Sequence, residues 1–223
     1  MMTNLFSIFD PATPNFISSN WLSMLLFTMC IPIKMMTNTN RLTSSMSSLL
    51  SYLLLEFSPL IKKSPYTLIT MISFFFLIMF NNLLGLMPYV FTASSHLVFT
   101  LSLALPMWLA FMLFGWLNNT SNLLAHLIPQ GTPTFLMPFM VLIETISNMI
   151  RPGTLAVRLT ANMIAGHLLI VLLSSATPMT PLLAMPILFM AQVALSTLEI
   201  AVAFIQAYVM SVLITLYAAE VTT

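Results

Sequence analysis

Charge is what this sequence of 223 residues lacks. Six Lys/Arg and five Asp/Glu make up 5% of the chain, where soluble domains carry about 25%. A water-soluble globule needs a charged skin, and so few ionic side chains cannot supply one. Hydrophobic residues instead reach 59%, and the mean hydropathy is +1.02. The chain therefore reads as an integral membrane protein. A net charge of +1 excludes a basic nucleic-acid binder, whose affinity rests on clustered Lys and Arg. The single cysteine, Cys30, excludes an internal disulfide framework and a Cys-rich zinc or iron–sulfur site. With only five glycines, neither a GxGxxG nor a GxxxxGK run occurs, which removes the usual phosphate loops. The first 14 residues hold no Lys or Arg, so they resemble neither a secretory signal nor an Arg-rich presequence. The expectation is insertion through the chain's own first span, or synthesis in the compartment where it works. The 20 Met residues read as apolar filler rather than a metal or peptide surface.

What is present is long apolar runs. A bilayer core of about 30 Å needs about 20 apolar residues in a spanning helix. The charge-free stretches are too long for barrel strands, so they read as helices. One lies between Asp10 and Lys34, giving a first span at 16–33. Nothing charged lies between Lys63 and Glu144, and a turn-rich run, MPYVFTASSH, divides that stretch into spans at 66–87 and 97–117. A polar connector follows at 118–133. Between the first two spans, Leu42, Met46, Leu49, Leu50, Leu53 and Phe57 recur at helical spacing with serines largely opposite. Residues 42–58 are thus expected as an amphipathic helix lying on the membrane surface. Lys34, Arg41, Lys62 and Lys63 flank it. The positive-inside rule puts this loop on the cytoplasmic side of a bacterium or the matrix side of a mitochondrion, with the N-terminus opposite.

The C-terminal third holds two apolar helical patterns, 135–174 and 181–220. At 1.5 Å per residue each is about 60 Å long, twice the hydrocarbon thickness. Either each breaks in two, with Pro152-Gly153 the break in the first, or both are strongly tilted. The favoured reading is a long, strongly tilted hairpin with a turn at 177–181, its mismatch covered by partner proteins. The expected fold is one all-α membrane domain, 1–223. It has about five membrane helices plus the amphipathic surface helix.

The remaining charges lie on this pair. Glu144, Arg151 and Arg158 are seven apart, and Asn162 follows four later. Gln192, Glu199, Gln206 and Glu220 fall at intervals of seven and fourteen. Seven residues is nearly two turns, so each set makes one polar seam. Intramembrane ionisable groups mark functional sites by default. Buried ion pairs that merely staple the hairpin are the other reading. Small residues, Gly153, Ala156, Ala161, Ala165 and Gly166, would let another helix approach the arginines. On spacing, His167 serves equally well as a hydrogen-bonded structural residue or a proton carrier. His96 and His126 read as interfacial, and no two histidines offer a haem pair.

LAVRLTANMIAGH at 155–167 closely resembles the signature of the subunit a family of F-type ATP synthases, the stator of their proton channel. NNLLGLMPY, HLIPQGTP, ETISNMIRPGTLAVRLTAN and LEIAVAFIQAYV, at 81–89, 126–133, 144–162 and 198–209, resemble the family's other blocks in order. The pattern is the mitochondrial one. FDP at 9–11 and ASSHL at 93–97 look invertebrate, and the Met richness is similar to that of AT-rich organellar genes.

The resemblance implies a multi-pass protein of the mitochondrial inner membrane, N-terminus in the intermembrane space and C-terminus in the matrix. Its implied partners are the c-ring, the peripheral stalk, other membrane-sector subunits, lipid and the transported proton. No nucleic acid, cofactor, metal or catalytic nucleophile of its own is implied. Arg158 matches the arginine that faces the c-ring carboxylate, and Asn162 and Gln206 match polar positions near it. His167 and Glu199 match the intermembrane-space half-channel, in swapped order relative to bacterial members. Glu144 and Glu220 match acidic positions of the matrix half-channel. Arg151 reads as structural, or as a lipid and partner contact. The implied mechanism has two offset half-channels separated by Arg158. The c-ring carboxylate crosses lipid neutral, because an ion there is costly. Arg158 favours its ionised form in passing and, never losing its own proton, blocks a direct leak. Each proton supplies about 2.3 kcal/mol per 100 mV. A secondary transporter would show repeated halves, and here the halves are unlike. A purely structural subunit of a respiratory complex is the third reading.

The topology is directly testable. Proteolysis or labelling of the loop between Lys34 and Lys63 should succeed from the matrix side alone. Reaction from the intermembrane space would reverse the orientation.

Overall fold

The structure, a computed structural model, describes residues 5–12, 20–26, 28, 40–59, 65–118, 120–128, 133, 135–181 and 183–222. Short 3-10 helices at Leu5–Phe9 and Asn20–Leu25 come first. Six α-helices follow: α1 Arg41–Phe57, α2 Pro65–Gly85, α3 Leu97–Asn118, α4 Thr120–His126, α5 Met137–Ala176 and α6 Met185–Thr222. Among the described residues all regular structure is helical, and α2, α3, α5 and α6 are long and apolar enough to cross a membrane. The first span expected at 16–33 lies largely outside the described residues.

Helix bounds differ from the sequence expectation where proline intervenes. α5 begins at Met137 rather than 135, and α6 at Met185 rather than 181. Pro138 and Pro186 fall in their first turns, where the missing N–H has no partner to lose. Pro152 does not break α5, which runs unbroken for 40 residues. Part of the expected connector at 118–133 is helical, as α4.

Packing follows the apolar stripes. On α2, Leu68, Met71, Ile72, Phe75, Ile78, Met79 and Asn82 are buried, a stripe at three- and four-residue steps. α2 turns it chiefly to α6, while α3 packs on α5 and the two long helices touch each other. The answering stripe on α6 is Ala203, Ala207, Met210, Ile214 and Ala218, all buried. Its alanines let the backbones come close. Hydroxyls along the helices bond back to the carbonyl three residues earlier: Ser73 to Thr70, Ser102 to Phe99, Ser211 to Tyr208, Thr215 to Val212. They therefore present no unsatisfied polar group to hydrocarbon.

The C-terminal half of the amphipathic stripe meets protein, from Leu50 onward. Leu53 and Phe57 are buried, whereas Leu42 and Leu49 are exposed, as a membrane-surface helix requires. The Phe57 ring stacks on Tyr208 of α6 at 6.4 Å between centroids. Glu56 accepts hydrogen bonds from the hydroxyls of Tyr52 at 3.3 Å and Tyr208 at 3.2 Å. Both partners of this carboxylate are neutral donors.

Candidate functional site

α5 carries five of the singled-out polar residues, and the structure gives them different surroundings. α2 is 21 residues long, about 31 Å, so its two ends mark the two faces of a bilayer. His167 sits at the Gly85 end: its Nε2 lies 2.8 Å from the Gly85 carbonyl oxygen. A carbonyl only accepts, so Nε2–H donates and Nδ1 of the neutral ring is the acceptor. The Phe9 ring meets the imidazole edge-on at 6.3 Å. Arg158 lies nine residues back along α5, about 14 Å along the axis. Glu144, 23 residues from His167, is about 35 Å away along the axis.

Glu199 is the buried carboxylate of the described part, 8% exposed, and neither oxygen has a hydrogen-bond partner among the described residues. It is seated where residue 166 has no side chain. A Cβ on Gly166 would stand 2.8 Å from Glu199 Oε1 and 3.0 Å from its Cδ, closer than carbon and oxygen tolerate. Around the carboxylate is a pocket of about 180 Å³, lined by Asn162, Gly166 and Glu199 with Leu86, Leu169 and Leu195 among the apolar residues. Water takes about 30 Å³ in the liquid, so the pocket has room for several molecules. The structure thus brings Asn162 and Glu199 to one pocket between α5 and α6, while His167, the residue after Gly166, faces the Gly85 end of α2.

Arg158 is exposed and makes no hydrogen bond or ion pair among the described residues. With Thr154, Val157, Ala161 and Ala165, all exposed, it forms one uncovered face of α5 whose neighbours are mostly small. The small residues predicted to crowd the arginines divide between surfaces. Ala161 and Ala165 stay on this face, Ala156 is in the core, and Gly166 faces Glu199.

Arg151 behaves differently. Its Nη2 is 3.3 Å from Glu144 Oε1, both side chains being about one-third exposed. Its guanidinium carbon lies 5.1 Å from the centroid of the Tyr217 ring on α6. Glu144 is therefore an ion-pair partner, tied through Arg151 to the end of α6. Gln206 is half-buried. The side chains of Glu220 and His126 lie outside the described part. His96 stacks on Phe91 at 5.1 Å and meets Trp21 at 5.3 Å between ring centroids, and the two aromatic rings also touch each other.

Four features had no signal in residue spacing: the Gly85 anchor of His167, the Gly166 seat, the Tyr217 stack and the Glu56 clasp. Each joins residues far apart in sequence. Among the described residues no three His, Cys, Asp or Glu side chains gather as a metal site requires. The chemistry open to this end of the bundle is proton exchange: a buried carboxylate and an amide line the pocket, and an imidazole with one nitrogen anchored lies on an adjoining side of α5.

The profile of the ATP synthase A chain family matches residues 16–219. A protein of Drosophila melanogaster, "ATP synthase subunit a", is 56% identical over 223 residues, covering 99% of this chain and all of its own length. Proteins of the same name from Anopheles quadrimaculatus and Aedes albopictus are 56% and 53% identical, each over 225 residues with the same coverage.

The Gly166 seat predicts a sign change. Gly166→Ala should cost about 1–3 kcal/mol through overpacking. In a Glu199→Ala background the clash is gone, and the same change should be neutral or stabilising, since Ala favours a helix over Gly by about 1 kcal/mol. Thermal unfolding of the four variants in lipid nanodiscs measures the coupling. Equal costs in both backgrounds would remove the steric argument.

Proposed function

Because the chain belongs to the ATP synthase A chain family, we propose that its two polar regions are offset proton half-channels on either side of Arg158. The chain is the proton-translocating membrane-sector subunit of an ATP synthase, a multi-subunit complex, and has no catalytic site of its own. It is a multi-pass protein of the mitochondrial inner membrane.

The observation that carries the proposal is the contrast between Arg158 and the other charged side chains described on α5 and α6. Glu144 and Arg151 are paired and Glu199 is enclosed, but Arg158 projects from an uncovered face of small residues. That face fits a rotor helix bearing a carboxylate, the c-ring of the family. His167, Glu199 and Asn162 form the access path from the intermembrane space. Glu144, with Glu220 on α6, belongs to the matrix path, and Gln206 on α6 is a polar group near Arg158. The peripheral stalk and other membrane subunits cover the rest of the exposed apolar surface.

The depths support this division. The His167 level coincides with the Gly85 end of α2, and Glu144 is far toward the other end. Two contacts between the long helices run in opposite senses: Gly166 against Glu199, Arg151 against Tyr217. That order supports an antiparallel hairpin. Its length of about 60 Å per arm supports a strong tilt in a bilayer of half that thickness. The N-terminal 3-10 turn reaches His167, which supports an N-terminus in the intermembrane space and a C-terminus in the matrix. The proposed first span, 16–33, completes five membrane helices beside α1 on the matrix surface.

Arg158→Gln should abolish ATP synthesis driven by a proton gradient while the complex still assembles. Synthesis near wild-type rates in reconstituted vesicles would overturn the mechanism. Lys is no adequate replacement, because a buried Lys can lose its proton.

The two paths separate by side. Glu199→Gln keeps shape but removes the titratable group, so it should alter the response to pH on the intermembrane-space side. Glu144→Gln should alter the response on the matrix side. If both changed the response to one side, the assignment of these residues to two paths would fall.

A further inference from the structure

We propose that the N-terminal turn, Leu5–Phe9 with Asp10, frames the mouth of the half-channel that His167 and Glu199 line, and that Asp10 is its proton-collecting carboxylate. The proposal rests on the half-channel reading and names the outer end of that path.

Three observations converge on this end of the bundle. The 3-10 helix Leu5–Phe9 packs on α5, and its last residue touches the imidazole of His167 edge-on. His167 is at the level where α2 ends, since it bonds to the Gly85 carbonyl. The pocket around Glu199 reaches the same place through Leu86, the residue after Gly85. Asp10 is the next residue after Phe9, its Cα about 3.8 Å on, and it is exposed. Its carboxylate is held in a fixed turn, with Oδ1 accepting from the Ala12 N–H at 3.0 Å. The titratable side chains at this end are Asp10, His167 on α5, Glu199 on α6, and Tyr89 and His96 between α2 and α3. No Lys or Arg precedes Lys34 in the sequence, so no sequence neighbour offsets the Asp10 charge.

A fixed negative charge at a low-dielectric mouth raises the local concentration of cations, protons included. One unit charge about 10 Å away in water raises proton occupancy about twofold, equivalent to about 0.3 pH unit. The Asp10 charge thus draws protons from bulk water toward the mouth and keeps it more acidic than the bulk, beside the imidazole whose Nδ1 can accept. The ring stack of Phe9 is the positioning contact that keeps the carboxylate there.

The test uses the whole complex in vesicles, with the pH on each side varied independently and ATP synthesis measured at low salt. Asp10→Asn should move the half-maximal pH on the intermembrane-space side about 0.3 unit toward acid, and Asp10→Glu should not. In a Cys30→Ser background, Asp10→Cys is labelled with a sulfonate-bearing or a trimethylammonium-bearing methanethiosulfonate. The sulfonate should restore the wild-type midpoint, and the cation should move it further toward acid. Both shifts should vanish near 1 M salt, where the screening length is about 3 Å. Identical midpoints for all charges, a shift on the matrix side, or a shift that survives high salt would each overturn the proposal. Arg158→Gln in the same assay separates the failures. If it still supports synthesis, the half-channel reading itself falls; if it does not, only the role of Asp10 is lost.

Discussion

A carboxylate lodged between two apolar helices needs space, and residue 166 provides it by having no side chain. Glu199 occupies that space, and much of the surrounding arrangement depends on it. One and two turns further along α6, Ala203 and Ala207 are almost fully buried in the stripe that answers α2. Had residue 166 carried a methyl group, the end of the Glu199 side chain would have to leave this seat. The residue after Gly166 is His167, and a neighbour in a helix points about 100° away. So the same stretch that seats Glu199 on one side aims an imidazole at the Gly85 carbonyl on another. One turn earlier Asn162 lines the pocket. The polar groups of this region are thus arranged around one steric permission.

The rest of the bundle holds this region at a defined depth. α2 ends at Gly85, and its last carbonyl is capped by a side chain from α5 rather than by water. That bond is local in space and distant in sequence, 82 residues, so it fixes the level of α5 relative to α2. Towards the other end, Glu56 collects the hydroxyls of Tyr52 and Tyr208 and ties the surface helix to α6. Tyr208 is nine residues beyond Glu199, about 14 Å along the axis. The two tethers act at different levels of the same helix pair. Together with the buried stripe of α2 they limit sliding of α6, which a proton path measured in ångströms requires.

Much of this architecture was legible in the sequence because hydrocarbon imposes simple rules. Charge-free runs marked α2 and α3, and the interval from Lys34 to Lys63 contained the serine-and-leucine pattern of α1. Spacing by seven put Glu144, Arg151 and Arg158 on one side of a helix, and that helix runs unbroken through all three. What spacing could not assign was the partner of each residue. Glu144 and Arg151 pair within α5, but only Tyr217, 66 positions later, explains why the guanidinium lies on that side. His167 looked ambiguous because its partner is a backbone carbonyl, and carbonyls carry no sequence signal. Gly166 was grouped with the small residues near the arginines, and its contact is Glu199 on the other long helix. The helix starts were misjudged at 135 and 181 because prolines at 138 and 186 belong inside the first turn, not before it.

Arg151 and Arg158 are the sharpest comparison within the molecule. They lie seven residues apart on one helix, almost on one face, and both are always charged. Arg151 is balanced by Glu144 and by the Tyr217 ring, groups that never leave. A partner seven residues away on the same helix stays within reach throughout, so Arg151 needs no group from outside the chain to balance it. Arg158 has no partner among the described residues, and an unbalanced charge at the centre of a membrane helix costs about 2.5–3.5 kcal/mol on insertion scales. A carboxylate that arrives, loses its proton, and moves on offsets that cost only while it is there. A fixed acid at the same place would trap the rotor, and no acid at all would leave the charge uncompensated. The proposed stator therefore needs its arginine bare within its own chain, and the small residues of Thr154, Ala161 and Ala165 leave the approach open for a partner that must also depart.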